Sequence, residues 1–300
     1  MAPPKRRTCA QQVVHELLVE TDPGYRARRL KVEDDVRKLI NSGAAMRTVA
    51  KLITIPVVVH VVYRTAAENV SDAQVNSQIK QLNLDYRAKN TDIKNVPAPW
   101  KSLIVDANIE FALATKDPSG KTSNGITRTK TTVSEWGPDD AVKSAKKGGA
   151  DAWSRDSYLN LWVCSLGQGL LGYAQFPGGA AKTDGVVILN TAFGTTGSVA
   201  APFNKGRTAT HEIGHYFNLR HIWGDTPDCA GSDMVPDTPN CAGPNTGMPP
   251  WPTITCNNGP NGDMFVNYMD YTDDAGMFMF TTQQVLRMRT SLETERSGLM

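Results

Sequence analysis

The spacing of apolar residues divides this 300-residue chain into three stretches of different character. Up to residue 45, apolar side chains recur at helical intervals between many charged ones, and a turn sequence at 41–43 ends the second series. This pattern predicts two short amphipathic helices. From residue 51, runs of β-branched residues predict strands, whereas residues 222–280 lack periodicity and are rich in Gly, Pro, Asn and Asp.

The middle stretch predicts an α/β half that ends in a helix. Ser71 with Gln74 reads as a capping box that starts one helix, and Thr281 with Gln284 reads as a second box that starts the last helix. Residues 207–219 predict a further helix, which carries histidines. The predicted strands are 51–64, 108–115, 125–131, 158–166 and 185–190.

The sequence HEIGHYFNLRH contains three of the five histidines of the chain. His211 and His215 are four residues apart, so both imidazoles lie on one helix face and can bind one ion, with Glu212 beside them. A catalytic zinc usually needs a third protein ligand, and His221 supplies it if the chain reverses at Asn218. Asparagine tolerates the left-handed backbone conformation of such a turn. The other histidines, at 15 and 60, read as a solvated helix residue and a strand residue.

Other interpretations of these histidines remain open. The H-E-x-x-H pattern also occurs in helices that bind no metal. A catalytically silent metal-binding or adhesive module could retain the three histidines, although it would have no need of Glu212. A zinc hydrolase that acts on non-peptide amides is a further alternative.

Two segments together resemble a known family. HEIGHYFNLRH resembles the extended zinc motif of the metzincin proteases, H-E-x-x-H-x-x-G-x-x-H, with Asn218 in place of the usual glycine. The following HIWGD and the later NYMDY at 267–271 resemble the pappalysin family, in its cytophagalysin-like branch. The resemblance spans residue 51 to the C-terminus. It implies a metzincin-like α+β fold: a twisted mixed sheet, a backing helix, an active-site helix and an irregular C-terminal subdomain ending in a helix.

The resemblance also implies an activity and its residues. It implies a zinc-dependent endopeptidase that hydrolyses proteins or peptides, with Glu212 as the general base acting on a metal-activated water. Met269 would be the Met-turn residue beneath the imidazoles, and Tyr271 would steady the oxyanion. Residues 172–176 (GYAQF) resemble the edge strand that pairs with substrate, although a plain surface hairpin is an equal alternative.

The resemblance divides the chain into a prosegment at 1–47, a catalytic subdomain at 48–221 and a C-terminal subdomain at 222–300. Related proteins carry prosegments in which a cysteine blocks the metal, and Cys9 is the candidate here, although Ala10 replaces the usual glycine. An idle thiol in a disordered terminus is the alternative. Cleavage between Ser42 and Lys51, beside Arg47, would release the segment from a self-processing zymogen.

The irregular C-terminal stretch contains further candidate residues. The family often binds calcium in this region, and oxygen-bearing side chains in a loop suit calcium; solvated loop acids are the alternative. By family position Cys229 pairs with Cys256, which leaves Cys241 free or differently paired, while Cys164 reads as a core thiol. Asp273 and Asp274 could attract a basic substrate side chain. The candidate calcium ligands are Asp225, Asp233, Asp237 and Thr238.

The composition limits the partners and the cellular location that the chain can have. The chain is 40% hydrophobic and 21% charged, with a net charge of +2, which argues against nucleic-acid binding. Its longest apolar run, at 53–63, contains Pro56 and His60 and is too short to span a bilayer. No secretory signal is visible, so either export follows another route or the signal lies outside this chain. We nevertheless expect a secreted or extracellular monomer.

Overall fold

A computed structural model describes residues 4–43 and 51–300. The predicted cleavage region beside Arg47 lies outside these residues. Short 3-10 turns join the main elements. The helices are α1 (Gln11–Thr21), α2 (Tyr25–Asn41), α3 (Asp72–Tyr86), α4 (Arg207–Tyr216) and α5 (Thr282–Glu295). The strands are β1 (Ile53–Tyr63), β2 (Ile109–Leu113), β3 (Ile126–Lys130), β4 (Leu159–Cys164), β5 (Gly172–Ala174), β6 (Val186–Leu189), β7 (Thr246–Gly247) and β8 (Tyr271–Thr272).

Six strands form one mixed sheet, in which five follow the order β2-β1-β4-β6-β5 and the sixth, β3, also pairs with β1. The long strand β1 pairs with β2 along its first half and with β3 along its second half, so these two strands share one side of it. All of these pairs are parallel except β5, which runs antiparallel to β6. The fold is therefore the predicted α+β type with a mixed sheet, and β5 is its edge strand.

The period-2 pattern of β1 explains how helices cover the sheet. Odd-numbered residues such as Ile55 and Val59 pack into the core formed with α3, α4 and α5, whereas Val62 faces the opposite core. Helix α3 starts as predicted, because Ser71 Oγ accepts a hydrogen bond from the backbone of Gln74. The second half of that capping box was predicted wrongly. The Gln74 amide instead donates to the carbonyl oxygens of Asn190 and Phe193, in the loop after β6.

The C-terminal part is irregular, as predicted, and ends in α5. Thr281 and Gln284 form a complete capping box at the start of that helix. A disulfide joins Cys229 to Cys256, the pair expected from family position. Cys241 is buried as a free thiol.

The N-terminal segment packs against the rest of the protein. Its residues 8–10 lie beside the edge strand: Leu171 N–H donates to Thr8 C=O at 2.9 Å, and Ala10 N–H donates to Gly172 C=O at 3.0 Å. Helices α1 and α2 follow. His15 is half-buried rather than solvated, because its ring packs between Tyr25 and Phe176. No helix among residues 4–43 and 51–300 is long and apolar enough to cross a membrane.

Candidate metal centre and active site

Helix α4 and the turn after it bring three imidazoles together. The Nε2 atoms of His211 and His215 are 3.1 Å apart, and those of His215 and His221 are also 3.1 Å apart. All three side chains are buried. Two nitrogens at about 2.0–2.1 Å from one tetrahedral zinc would lie roughly 3.3 Å apart, so this spacing fits a shared ion.

The chain reverses at Asn218, where the sequence predicts it. The φ angle of Asn218 is +76°, in the left-handed region. Its N–H donates to the carbonyl oxygen of His215, and the N–H of Leu219 donates to that of Gly214, which closes the helix. His221 follows three residues later and turns back toward the helix.

Each imidazole is oriented through its second nitrogen. Nδ1 of His211 lies 2.7 Å from the Tyr268 carbonyl oxygen, and Nδ1 of His215 lies 2.8 Å from that of Leu219. Because a carbonyl oxygen only accepts, Nδ1 carries the proton in both rings and Nε2 is free to bind a metal. Burial lowers the pKa of His211 and of His215 well below the ordinary value, so both rings are neutral.

Asp225 orients the third imidazole. Its Oδ1 accepts a hydrogen bond from His221 Nδ1 at 2.5 Å. Burial alone would raise the pKa of Asp225, but the adjacent His221 holds it below its ordinary value. Asp225 is also a candidate calcium ligand; in the structure one of its oxygens contacts the histidine cluster, and the calcium role stays a prediction.

Cys9 completes a set of four donor atoms. Its Sγ and the ring nitrogens of the three histidines all lie within 4.8 Å of one another, and no other such cluster of three or more His, Cys, Asp or Glu side chains occurs among residues 4–43 and 51–300. Three imidazole nitrogens and one sulfur are ligands that zinc prefers in tetrahedral sites. The residues present therefore fit zinc.

Glu212 lies beside the same cluster. The Cys9 thiol donates to its Oε2 at 3.3 Å. Burial raises the pKa of Glu212 to about 8, against the lowering effects of that hydrogen bond and of the Arg7 charge. A bound dication would lower the pKa of Glu212, because its charge favours the ionised carboxylate.

Met269 and Tyr271 come from the C-terminal part. Met269 is buried, and a Cβ placed on Gly214 would come within 2.5 Å of its sulfur, so the glycine admits the methionine beneath α4. The Tyr271 hydroxyl accepts from Cys9 N–H and donates to Cys9 C=O, both at 3.3 Å. Trp223 stacks on His221 with ring centres 4.4 Å apart and contacts Tyr271 edge-on. Gly214 and Trp223 lie in the segments that carry the family resemblance, but the spacing of residues alone does not predict these contacts.

Arg7 fills a buried site next to this cluster. Its guanidinium pairs with Asp274 at 2.6 Å and donates to Thr272 C=O and to Thr208 Oγ1. It also lies over the ring of Phe203, 5.1 Å from the ring centre. Of the two acidic residues that we singled out after the Met-turn, Asp274 is the one that binds this basic side chain.

The remaining candidate calcium ligands are engaged inside the protein. Asp233 accepts hydrogen bonds from Thr238 Oγ1 and from the backbone N–H of Val235. Asp237 accepts from Thr281 Oγ1 at 2.6 Å and from Gln283 N–H at 2.9 Å, at the start of α5. The calcium site stays a prediction without support from this arrangement.

Known proteins match this chain over most of its length. The Peptidase_M43 family, described as pregnancy-associated plasma protein-A, matches residues 143–293. An extracellular metalloprotease of Pyricularia oryzae is 32% identical over 256 residues, which cover 82% of this chain and 77% of the relative. One of Verticillium alfalfae is 36% identical over 184 residues, and this match spans 63% of that relative, less than two thirds of its length.

Solved structures agree with these matches. A mutant of Tannerella forsythia promirolysin is 46% identical, with a TM-score of 0.89, and covers 98% of this chain and 97% of its own. Mature mirolysin of the same organism, in complex with a cleaved peptide, is 50% identical, with a TM-score of 0.80, and covers 83% of this chain and 97% of its own. The chain therefore belongs to the pregnancy-associated plasma protein-A (Peptidase_M43) family of metalloendopeptidases and has their metzincin-type α+β fold.

Proposed function

We propose that this chain is the latent form of an extracellular, zinc-dependent endopeptidase that hydrolyses proteins or peptides. The observation that carries the proposal is the convergence of three buried Nε2 atoms beside the Glu212 carboxylate. Relatives described as extracellular metalloproteases support it, as does the likeness to a mirolysin that holds a cleaved peptide.

His211, His215 and His221 would hold the zinc ion. When bound, zinc supplies Lewis-acid activation of a water molecule and of the scissile carbonyl group. Met269 supports the histidines from below, and Asp225 keeps the third imidazole in the binding tautomer.

Glu212 moves the proton. Its carboxylate takes a proton from the attacking water and then delivers it to the leaving amine. Its position beside the three histidines suits both steps, because one carboxylate can reach the water and the leaving amine in turn. The Tyr271 hydroxyl, which hydrogen-bonds the Cys9 backbone in the latent chain, is free after release to donate to the substrate oxygen as negative charge develops.

The edge strand β5 would bind the substrate backbone. In the latent chain, Leu171 N–H and Gly172 C=O are occupied by Thr8 and Ala10. Departure of residues 8–10 frees these groups to pair with an extended peptide, as exposed sheet edges do.

Residues 1–47 would be the prosegment that maintains latency. Cys9 lies against both Glu212 and the histidines, so no substrate carbonyl can reach them while it stays. The promirolysin mutant matches 98% of this chain and mature mirolysin 83%, a difference that supports removal of an N-terminal segment. Cleavage would fall between residues 42 and 51.

Variants of the zinc-loaded full chain test this mechanism. We expect Glu212→Ala to keep one zinc per chain, by elemental analysis, yet to cleave peptides about 10²–10⁴-fold more slowly. We expect Cys9→Ala to process itself faster than the parent chain. Glu110→Ala, which removes a carboxylate of β2, is the matched control and should resemble the parent. Near-normal turnover by Glu212→Ala would contradict the base assignment, and no cleavage by zinc-loaded Cys9→Ala would favour a silent module.

We also infer that the Arg7 site accepts a basic side chain of the substrate. The site is buried, carries the Asp274 carboxylate and already fits a guanidinium. We expect Asp274→Asn to lower kcat/KM for peptides with arginine beside the scissile bond by about 10–100-fold, while peptides with leucine there change little. Asp273→Asn is the matched control. Equal losses for both peptide series would contradict this specificity.

A further inference from the structure

The prosegment helix α2 places one carboxylate against arginines of the catalytic part. Nη2 of Arg287, on α5, donates to both oxygens of Glu33, at 2.7 and 2.6 Å. Nη2 of Arg220, next to the metal ligand His221, lies 3.8 Å from the same carboxylate. Despite its burial, Glu33 has a pKa below the ordinary value because of these arginines. The carboxylate is therefore bound as an ion.

The catalytic part itself holds one of the two arginines in place, and the other follows from its position in the chain beside His221. Arg287 Nε donates to the carbonyl oxygen of Asn218, the residue at which the chain reverses, at 2.8 Å. The Arg287 side chain is 5% exposed, whereas that of Arg220 is 32% exposed. A third arginine, Arg29, also contacts Glu33, but it belongs to α2 and leaves with it. Loss of α2 would thus leave an anchored Arg287 and the neighbouring Arg220 without the Glu33 carboxylate.

The arginine pair lies along the path of a chain bound at the sheet edge. Residues 8–10 pair with the beginning of β5, whereas Arg29 contacts Phe176 and Pro177, just beyond its end. The ring of Phe176 packs on His215 with centres 5.7 Å apart. An extended peptide that follows β5 past the histidines therefore approaches the place that Glu33 occupies.

Packing of α2 over this place is incomplete. A cleft of about 590 Å³ lies along part of the contact between the helix and the catalytic part. Leu30 and Ile40 line it on the prosegment side, and Met234, Pro236 and Arg287 line the other side. Buried apolar side chains of α2 also hold the helix in place. The charged contact made by Glu33, however, is one that another carboxylate can make.

We propose that Arg220 and Arg287 form a carboxylate-binding subsite of the processed enzyme, which takes an acidic side chain of the substrate at a distance from the scissile bond. Glu33 occupies this subsite in the latent chain. The proposal rests on the proposed endopeptidase function. Arginine binds carboxylates through two parallel hydrogen bonds, and an arginine left unpaired at a half-buried position retains a strong preference for such a partner.

Matched peptide substrates test the subsite. The zinc-loaded full chain is allowed to process, and kcat and KM are measured for peptides with a single glutamate at successive positions on both sides of the cleaved bond. Each is paired with the peptide that has glutamine at that position. We expect one position, several residues from the bond, at which glutamate lowers KM about tenfold with kcat unchanged.

Arginine variants decide whether the preference comes from this site. We expect Arg220→Gln and Arg287→Gln each to reduce the glutamate preference and the double variant to abolish it, with glutamine peptides cleaved as before. Arg64→Gln removes one charge from an exposed position after β1 and should keep the preference. If Arg287→Gln fails to bind zinc or to fold, Arg220→Gln alone decides. Equal KM values for all pairs, or a glutamate preference that is undiminished in Arg220→Gln, would overturn the subsite. Failure to cleave even glutamine peptides would instead contradict the proposed function.

Discussion

Two backbone positions determine whether the three imidazoles meet. Asn218 turns the chain through a left-handed conformation, and Gly214 leaves room for the sulfur of Met269 under α4. Neither residue has a side chain that binds the metal. The geometry of the site therefore depends on residues whose contribution is conformational.

Substitutions at position 218 test this dependence. We expect Asn218→Gly to keep zinc, because glycine adopts positive φ without strain, although it loses the hydrogen bond that Arg29 donates to the asparagine. We expect Asn218→Val to lower the free energy of unfolding by about 1–3 kcal/mol and to weaken zinc binding. Thermal unfolding and zinc content measure both effects. Equal behaviour of the two variants would show that the turn tolerates any side chain.

At the residue scale, sequence reasoning located the local parts of the site. His211, His215 and His221 lie within eleven residues of one another in the chain. Helix geometry and one turn are therefore enough to predict that their imidazoles come together. Asp225 was assigned to calcium because a loop acid by itself does not reveal its partner. The stacking of Trp223 on His221 was not predicted, because the spacing of two residues in an irregular stretch does not fix how their rings face each other.

At the scale of elements, the start of α5 depends on a distant carboxylate. Asp237 caps this helix by accepting hydrogen bonds from Thr281 Oγ1 and Gln283 N–H. Carboxylates near a helix N-terminus satisfy its free N–H groups and interact favourably with its dipole. The irregular C-terminal stretch is thereby fixed to the last helix.

Removal of this cap has a defined effect on stability. We expect Asp237→Ala to lower the free energy of unfolding by about 1–2 kcal/mol, equally with added calcium and with a calcium chelator. Asp228→Ala, in an exposed loop of the same region, is the control and should cost less than about 0.5 kcal/mol. A loss seen only in the presence of calcium would instead support the predicted calcium site.

The helices and strands of the main sheet were predicted correctly, but their pairing and some long-range side-chain contacts were not. The alternation in β1 and the helical spacing in α3 identify both elements and their buried faces. The sequence did not reveal that β2 and β3 share one side of β1, because register is decided by pairing partners. The Gln74 side chain does not complete the predicted capping box. Its amide donates instead to buried carbonyl oxygens after β6, which need hydrogen-bond donors.

At the scale of the molecule, the histidine–cysteine cluster and its neighbours connect parts that are far apart in the chain. Helix α4 supplies two histidines, the following loop supplies the third, the C-terminal part supplies Met269 and Tyr271, and the N-terminal segment supplies Cys9. A ligand that binds only this folded arrangement stabilises the whole protein.

Removal of the metal should therefore lower the unfolding temperature. We expect zinc at a thousand times its Kd to add about 4 kcal/mol of stability to the full chain with Glu212→Ala, which avoids self-digestion. This corresponds to a rise in Tm of roughly 5–10 °C over the chelated protein. Calorimetry with and without chelator measures it. The same chain with His221→Ala should gain much less, and an equal gain would exclude His221 as a ligand.

The segment at residues 8–10 also prevents other polypeptides from pairing with the edge of the sheet. While it stays, the N–H of Leu171 and the C=O of Gly172 have partners within the chain. Once it has gone, the same groups form an open sheet border to which any extended polypeptide can add, including cleavage products and unfolded copies of the enzyme. Cleavage products and unfolded copies of the enzyme can therefore bind to this edge once the segment has been removed. Because the substrate pairs with the same edge, covering it would also abolish activity.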